Sequence, residues 1–345
     1  MRHLAVDLGG RKSQICTREA DAKIIEERQI LTAALPAFFE AQPMSRVILE
    51  TGAEAFAIAD AALALGHEVR VVPATLVRSL GVGRRGIKTD RRDAQVLSEV
   101  SCRIDLPSVH VPSQRSREWK SMCGMRQALV GSRTKTVNTV RGWMRGRLTR
   151  VALGTVSTLP KRVREKCPDR PIFVERQLQA IEQLTVTIRA FDKDFAAIAE
   201  EDQICHRLMT VPGVGPLVAI CFVATVDDLA RFASPHALES YIGLTPGEDS
   251  SSERVRITSI TKAGNTRMRW LLVQAAWTAL RTRPGDPMSE WAMGVLSRKG
   301  KRTAIVALAR KLAGIMFAVW RDASEYNPTR GATSSPVRTY VIKNS

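Results

Sequence analysis

No apolar stretch of the 345-residue chain approaches the roughly 18–20 residues a bilayer-spanning helix needs, so none is expected. The N-terminal MRHLAVDLGGRK interrupts its apolar part at Asp7 within a few residues, which argues against a secretory signal. Cysteine is sparse and unpatterned. Cys16, Cys102, Cys123, Cys167, Cys205 and Cys221 form no C-x-x-C pair, which excludes a local zinc motif and a disulfide framework and predicts reduced, structural thiols. A cytoplasmic protein without membrane attachment is the reading. Acid is short as well: 34 Asp and Glu stand against 52 Lys and Arg, a net charge of +18. Such an excess predicts a polyanionic partner, because phosphate neutralisation by Lys and Arg releases counterions and drives nucleic-acid binding.

What remains is ordinary for a globular protein, with 44% apolar and 25% charged residues, and the length permits two or three domains. Over the first hundred residues strand-like and helix-like segments alternate. HLAVDLG, KSQICTRE and KIIEERQ read as strands, LTAALPAFFEAQ as a helix, RVILET as a strand, 53–65 as an Ala-rich helix and EVRVVPA as a strand. This order predicts an α/β domain with a mixed sheet.

The window 111–170 holds 15 basic and 3 acidic residues, two thirds of the whole excess, and reads as a nucleic-acid patch. Trp119 and Trp143 lie inside it, and packing outweighs base stacking as their expected role. Ile181, Leu184, Ile188, Phe191, Phe195 and Ile198 then recur at alternating spacings of three and four, the seam of a coiled coil or of a long helix packed on its own chain. From 205 onward the pattern is mainly helical. LMTVPGVGPLVAICFVA has the look of a helix-hairpin-helix turn, and two basic helices follow, opening at TKAGNTRMRW and KGKRTAIVAL.

Four carboxylates invite a joint reading. Asp7 ends the first strand, Glu50 ends RVILE, and Asp90 and Asp93 in GIKTDRRDAQVLSEV stand three apart, on one face of a helix. If the two strands are neighbours, a helix laid across their shared edge completes a four-carboxylate pocket. Mutual repulsion makes such a pocket a cation site, and two Mg²⁺ (or Mn²⁺) ions about 3.5–4 Å apart suit hard oxygen donors and phosphodiester chemistry. Lys88, Arg91 and Arg92 around the pair are expected to meet phosphates. The same role is expected of Arg141, Arg145 and Arg147 in the basic window, and of Lys262, Arg267 and Arg269 at the first basic helix.

VDLGG, LETGAEAF and GIKTDRRDAQVLSEV, followed in order by TVPGVGPLVA, YIGLTPGEDSSS, TKAGNTRMRWLL and RTAIVALARKLAGIMF, closely resemble the IS110/IS1111-family transposases. The resemblance spans most of residues 3–320. It implies a RuvC-like, ribonuclease-H-like DEDD domain at 1–110, a basic helical and coiled-coil region at 111–204, a mainly helical transposase domain at 205–325 and a flexible tail at 326–345. It also implies that a serine becomes covalently linked to DNA. Alignment on GLTPGED puts that nucleophile at Ser251, with Ser250 the alternative, because Ser252 stands where the family has glycine. Donor and target DNA, a structured guide RNA encoded by the element, and a homo-oligomer (dimer or tetramer) whose subunits share active sites are the implied partners. Two other enzyme readings stand beside this one. A RuvC-type junction endonuclease uses the same carboxylates with water as nucleophile, whereas a sugar kinase of the actin-like fold needs a second Asp-Gly-rich phosphate motif, which is absent. A non-catalytic basic binding protein would leave the carboxylates without a role.

Overall fold

The computed structural model describes residues 1–79, 90–152, 154–248 and 257–329. Lys88, the Ser250–Ser252 run and the tail from 330 onward therefore lie outside the described residues. The chain forms two compact units that divide between Pro112 and Ser113.

The first unit is built on five strands, β1 (Arg2–Asp7), β2 (Lys12–Arg18), β3 (Ile24–Leu31), β4 (Ser45–Glu50) and β5 (Glu68–Val72), in the order β3-β2-β1-β4-β5. Strand β2 is antiparallel to both of its neighbours, β1 and β3, while β4 lies parallel to β1 and β5 parallel to β4, so the sheet is mixed as its sequence predicts. Leu4, Ala5 and Val6 of the central strand are fully buried, because both faces of the sheet are covered. On one face Leu4, Val6, Val47, Leu49 and Val71 pack against helices α1 (Leu35–Glu40) and α2 (Ala55–Ala64). On the other, Ala5, Ile48 and Val72 meet Val77 of α3 (Ala74–Ser79) and Leu97 of α4 (Asp90–Arg103). The edge strand β3 is mostly polar at its centre, which blunts pairing with another chain.

The second unit is almost wholly helical. Helix α5 (Gln114–Gly146) starts on the Ser113 side chain, which accepts from Ser116 N–H, and α6 (Leu159–Lys166) and α7 (Ile172–Glu201) follow. The contacts Arg126–Asp192 and Arg133–Thr185 run in opposite sequence directions, so α5 and α7 are antiparallel. The seam on α7 thus packs back on its own chain, with Ile181, Ile188 and Phe195 buried. Trp119 and Trp143 pack as expected, each half-buried against a hydrophobic cluster beneath an arginine.

The remaining elements are α8 (Gln203–Met209), α9 (Pro216–Val226), α10 (Pro235–Ile242), a small hairpin of β6 (Pro246–Glu248) and β7 (Ile257–Ile260), α11 (Thr266–Thr282), α12 (Pro287–Lys299) and α13 (Lys301–Arg321). Helix α9 is apolar all round and almost entirely buried, the mark of a central core helix. The turn from α8 to α9 is the one read as helix-hairpin-helix-like. Gly213 there has φ +83°, and a Cβ on it would stand 2.2 Å from the Ala275 carbonyl oxygen. Close packing on α11 therefore accounts for this glycine.

Two expectations need correction. Helix α13 is long and apolar enough to cross a membrane by length and composition, although half of its most apolar window is buried inside the unit, where Leu308, Leu312 and Met316 join the core. Its scattered Lys and Arg hid it from a search for unbroken apolar runs. Cys123 of α5 and Cys221 of α9 are also not isolated thiols: they are joined as a disulfide, with Cα atoms 6.4 Å apart. Spacing rules look for nearby cysteines, and these two are 98 residues apart.

Candidate active site

The parallel register of β1 and β4 matches Val6 with Leu49, so the next residues, Asp7 and Glu50, end adjacent strands at the same edge. Alternation along a strand decides which face they take. Ala5 and Ile48, two residues earlier, face α4, and Asp7 and Glu50 share that face.

Helix α4 runs along β1 in matched steps. His3 Nδ1 meets Ser101 Oγ at 2.8 Å at one end, and Ala5 and Leu97 share a cluster in the middle. Two strand residues cover roughly 6.6 Å and four helical residues about 6.0 Å, so the next step brings Asp93 level with Asp7. Burial and the Arg46 charge hold His3 below its ordinary pKa, so a neutral ring makes the contact with Ser101. Asp93 is 3% exposed, whereas Asp7 and Glu50 are half-buried. Asp90 opens α4, and its side chain lies outside the described residues. Among the described residues no three acidic, histidine or cysteine side chains come close enough together to hold a metal ion. The donor set nonetheless fits a hard divalent cation, since carboxylate oxygens are hard donors.

Arg91 and Gln95 on the outer side of α4 are tied to β3 through Glu27, with Arg91 Nε 3.0 Å from its carboxylate. Burial raises the Glu27 pKa, but hydrogen bonds from Gln95 and Arg91 outweigh it and hold the carboxyl below the usual range. Arg91 thus anchors the helix that carries Asp93, while Arg92 is exposed beside it.

In the second unit Arg141, Arg145 and Arg150 line a shallow cavity of about 380 Å³ with Met144, Thr149 and Val151. Arg147 turns away from it, paired with Asp169 at 2.8 Å and lying 5.1 Å from the centre of the Trp143 ring. Lys262 is exposed and Arg267 half-buried against Gly124.

Arg269 corrects an expectation. It is only 9% exposed and faces no solvent phosphate; its guanidinium donates to the carbonyls of Ile242 (2.9 Å) and Ala263 (2.6 Å) and to Thr266 Oγ1 (3.1 Å). Those carbonyls belong to the two chain segments that lead into and out of the β6–β7 hairpin. The segments touch: a Cβ on Gly243 (φ +79°) would stand 2.0 Å from Ala263 O, and one on Gly264 (φ +74°) 2.0 Å from Tyr241 O. Residues 241–244 and 263–264 are therefore two halves of one locked support at the root of the β6–β7 pair. Helical periodicity carried the signal for this role, since position 269 lies three before the buried Leu272 and seven before the buried Ala276. Replacing Arg269 by Ala leaves two buried carbonyls without their donor and is expected to cost about 2–4 kcal/mol, read as a lower Tm. Arg269→Lys recovers only part of that, because an ammonium lacks the planar fork.

Two family models match the chain. One, a transposase model of the DEDD IS110 type, covers residues 4–147, and the other, described as the transposase IS116/IS110/IS902 family, covers 205–289. The Sinorhizobium fredii protein named "Putative transposase y4qE" is 30% identical over 287 residues, covering 76% of this chain and 71% of that protein. The "Probable family 20 transposase" of Pseudomonas aeruginosa is 27% identical over 341 residues, 95% of this chain and 99% of that one. The "Transposase for insertion sequence element IS1111A" of Coxiella burnetii is 26% identical over 337 residues, 94% and 90% of the two chains.

Proposed function

This chain belongs to the IS116/IS110/IS902 family of insertion-sequence transposases, and from that premise we propose that it breaks and rejoins DNA with a Mg²⁺-binding carboxylate pocket and a serine nucleophile. It is a DNA transposase, and its DEDD domain implies a divalent metal. What supports the reading is that Asp7 and Glu50 end the neighbouring strands β1 and β4, on the sheet face that α4 covers, and that Asp93 is buried on α4. With Asp90 they would hold the metal. Hard divalent cations held by these carboxylates would offset their charge and supply Lewis-acid activation of a phosphodiester.

Ser251 would supply the covalent step. As its Oγ bonds to phosphorus, the bond to one DNA strand breaks; the serine gives up its proton and the departing oxygen gains one. Attack by the hydroxyl of an incoming strand reverses the exchange and restores the serine. One phosphodiester is lost and one formed, so no energy-rich cofactor is needed. The support held by Arg269 flanks the serine run on both sides in the sequence, and a nucleophile needs a rigid scaffold to fix its position. The proposal includes a homo-oligomer and a structured guide RNA, for which the basic face of 111–170 offers phosphate contacts.

Metal removal tests the reading. Purified protein with donor DNA, target DNA and RNA transcribed from the element's flanks is expected to yield joined products in Mg²⁺, none in EDTA, and joined products again when Mn²⁺ is added. Equal joining with and without chelator would refute the carboxylate-pocket mechanism.

A further inference from the structure

Helix α11 presents one outward stripe of unusual composition: Trp270, Gln274, Trp277 and Arg281, spaced three and four apart on a single face, all exposed. Trp270 is 47% and Trp277 38% exposed. Tryptophan is usually largely buried, so two on one open face call for an occupant. The helix contains no acidic residue, and its far end meets the Arg298-Lys299-Gly300-Lys301-Arg302 corner between α12 and α13, where Lys301 Nζ lies 4.8 Å from the Trp277 ring centre. Among the described residues no carboxylate pairs with Arg281, Lys299, Lys301 or Arg302.

We propose that this stripe is a stacking platform for unpaired nucleotides, with Trp270 and Trp277 taking base faces and Arg281 and Lys301 taking phosphates. The inference rests on the DNA-transposase reading, in which strands must separate from a duplex before they are exchanged. Flat indole faces suit an unpaired base, whose faces are open, whereas in a duplex stacking covers them. Seven residues of helical rise separate positions 270 and 277 by about 10.5 Å along the axis, about three stacked base steps of 3.4 Å. A second copy of this chain is a poor occupant, since a two-fold contact would set this cationic stripe against itself.

Fluorescence anisotropy with the full-length protein tests the platform, using a labelled oligothymidylate of about 15 nucleotides, the matching oligouridylate and a duplex of the same length. The double variant Trp270→Ala, Trp277→Ala is expected to bind the unpaired strands at least about tenfold more weakly and the duplex within about threefold of wild type. Trp270→Phe, Trp277→Phe keeps aromatic faces and is expected to restore most of the loss. The oligothymidylate and oligouridylate arms tell whether DNA or RNA is the preferred strand. Undiminished binding of unpaired strands by the alanine variant, equal losses on duplex and unpaired strands, or a change in oligomeric mass instead of binding would overturn the proposal. Wild-type protein that holds duplex but neither unpaired strand also overturns it and leaves the transposase reading intact; protein that binds no nucleic acid would sink both.

Discussion

Asp93→Asn is expected to leave the first unit folded and to reduce DNA joining by more than about 100-fold, the upper end of what losing a supporting residue costs at a metal site. Asp93 is nearly fully buried on the helix face that packs on the sheet, level with Asp7, and asparagine keeps its volume while removing its charge. A structural role and a metal-holding role part at this point. Were Asp93 needed only for packing, the variant would lose stability in proportion to activity. As part of a cation pocket it loses activity out of proportion to any change in the stability of the metal-free protein. The companion measurement is the response of Tm to MgCl₂. Wild-type protein gains stability as the ion binds the native state, and Asp93→Asn and Asp7→Asn lose most of that gain.

The second large effect belongs to the serine run at 250–252. Ser251→Ala is expected to lower joining by about 10⁴-fold or more, as removal of a covalent nucleophile does, with DNA binding unchanged. The substitution also separates two enzymes that share the carboxylates. A junction endonuclease of the RuvC type attacks with water and would still cut its DNA in this variant, whereas a serine recombinase would neither cut nor join. Ser250→Ala and Ser252→Ala are the neighbouring controls, and a loss confined to Ser250→Ala would move the nucleophile by one residue.

Much of the first unit is legible in its residues because local signals there agree. Short continuous apolar runs ended near glycine mark β1 and β4, and a strand-terminal carboxylate followed by a turn marks Asp7 and Glu50 as edge residues. The helical spacing of Asp90 and Asp93 needs no tertiary information either. What spacing leaves open is which side of the sheet receives the helix; the burial of Ala5, Ile48 and Leu97 in one cluster supplies that. The second unit is less legible because its decisive contacts are long-range. Cys123 and Cys221 meet only because α5 packs on α9. The seam on α7 reads equally as a partner surface until α5 is seen to cover it. Arg269 has the composition of a phosphate contact and the periodicity of a core position, and the second signal prevails because two buried carbonyls wait for it.

The central claim, that a serine of this transposase carries DNA covalently under metal control, is most directly tested by trapping the linkage. Protein incubated with donor DNA, target DNA, flanking RNA and Mg²⁺ is denatured, digested with nuclease and protease, and analysed by mass spectrometry for a peptide bearing a nucleotide. The account predicts a nucleotide ester on the peptide containing Ser251, present with Mg²⁺ and absent with EDTA or in Asp93→Asn. Efficient joining with no protein–DNA linkage at any serine of residues 250–252 would contradict it.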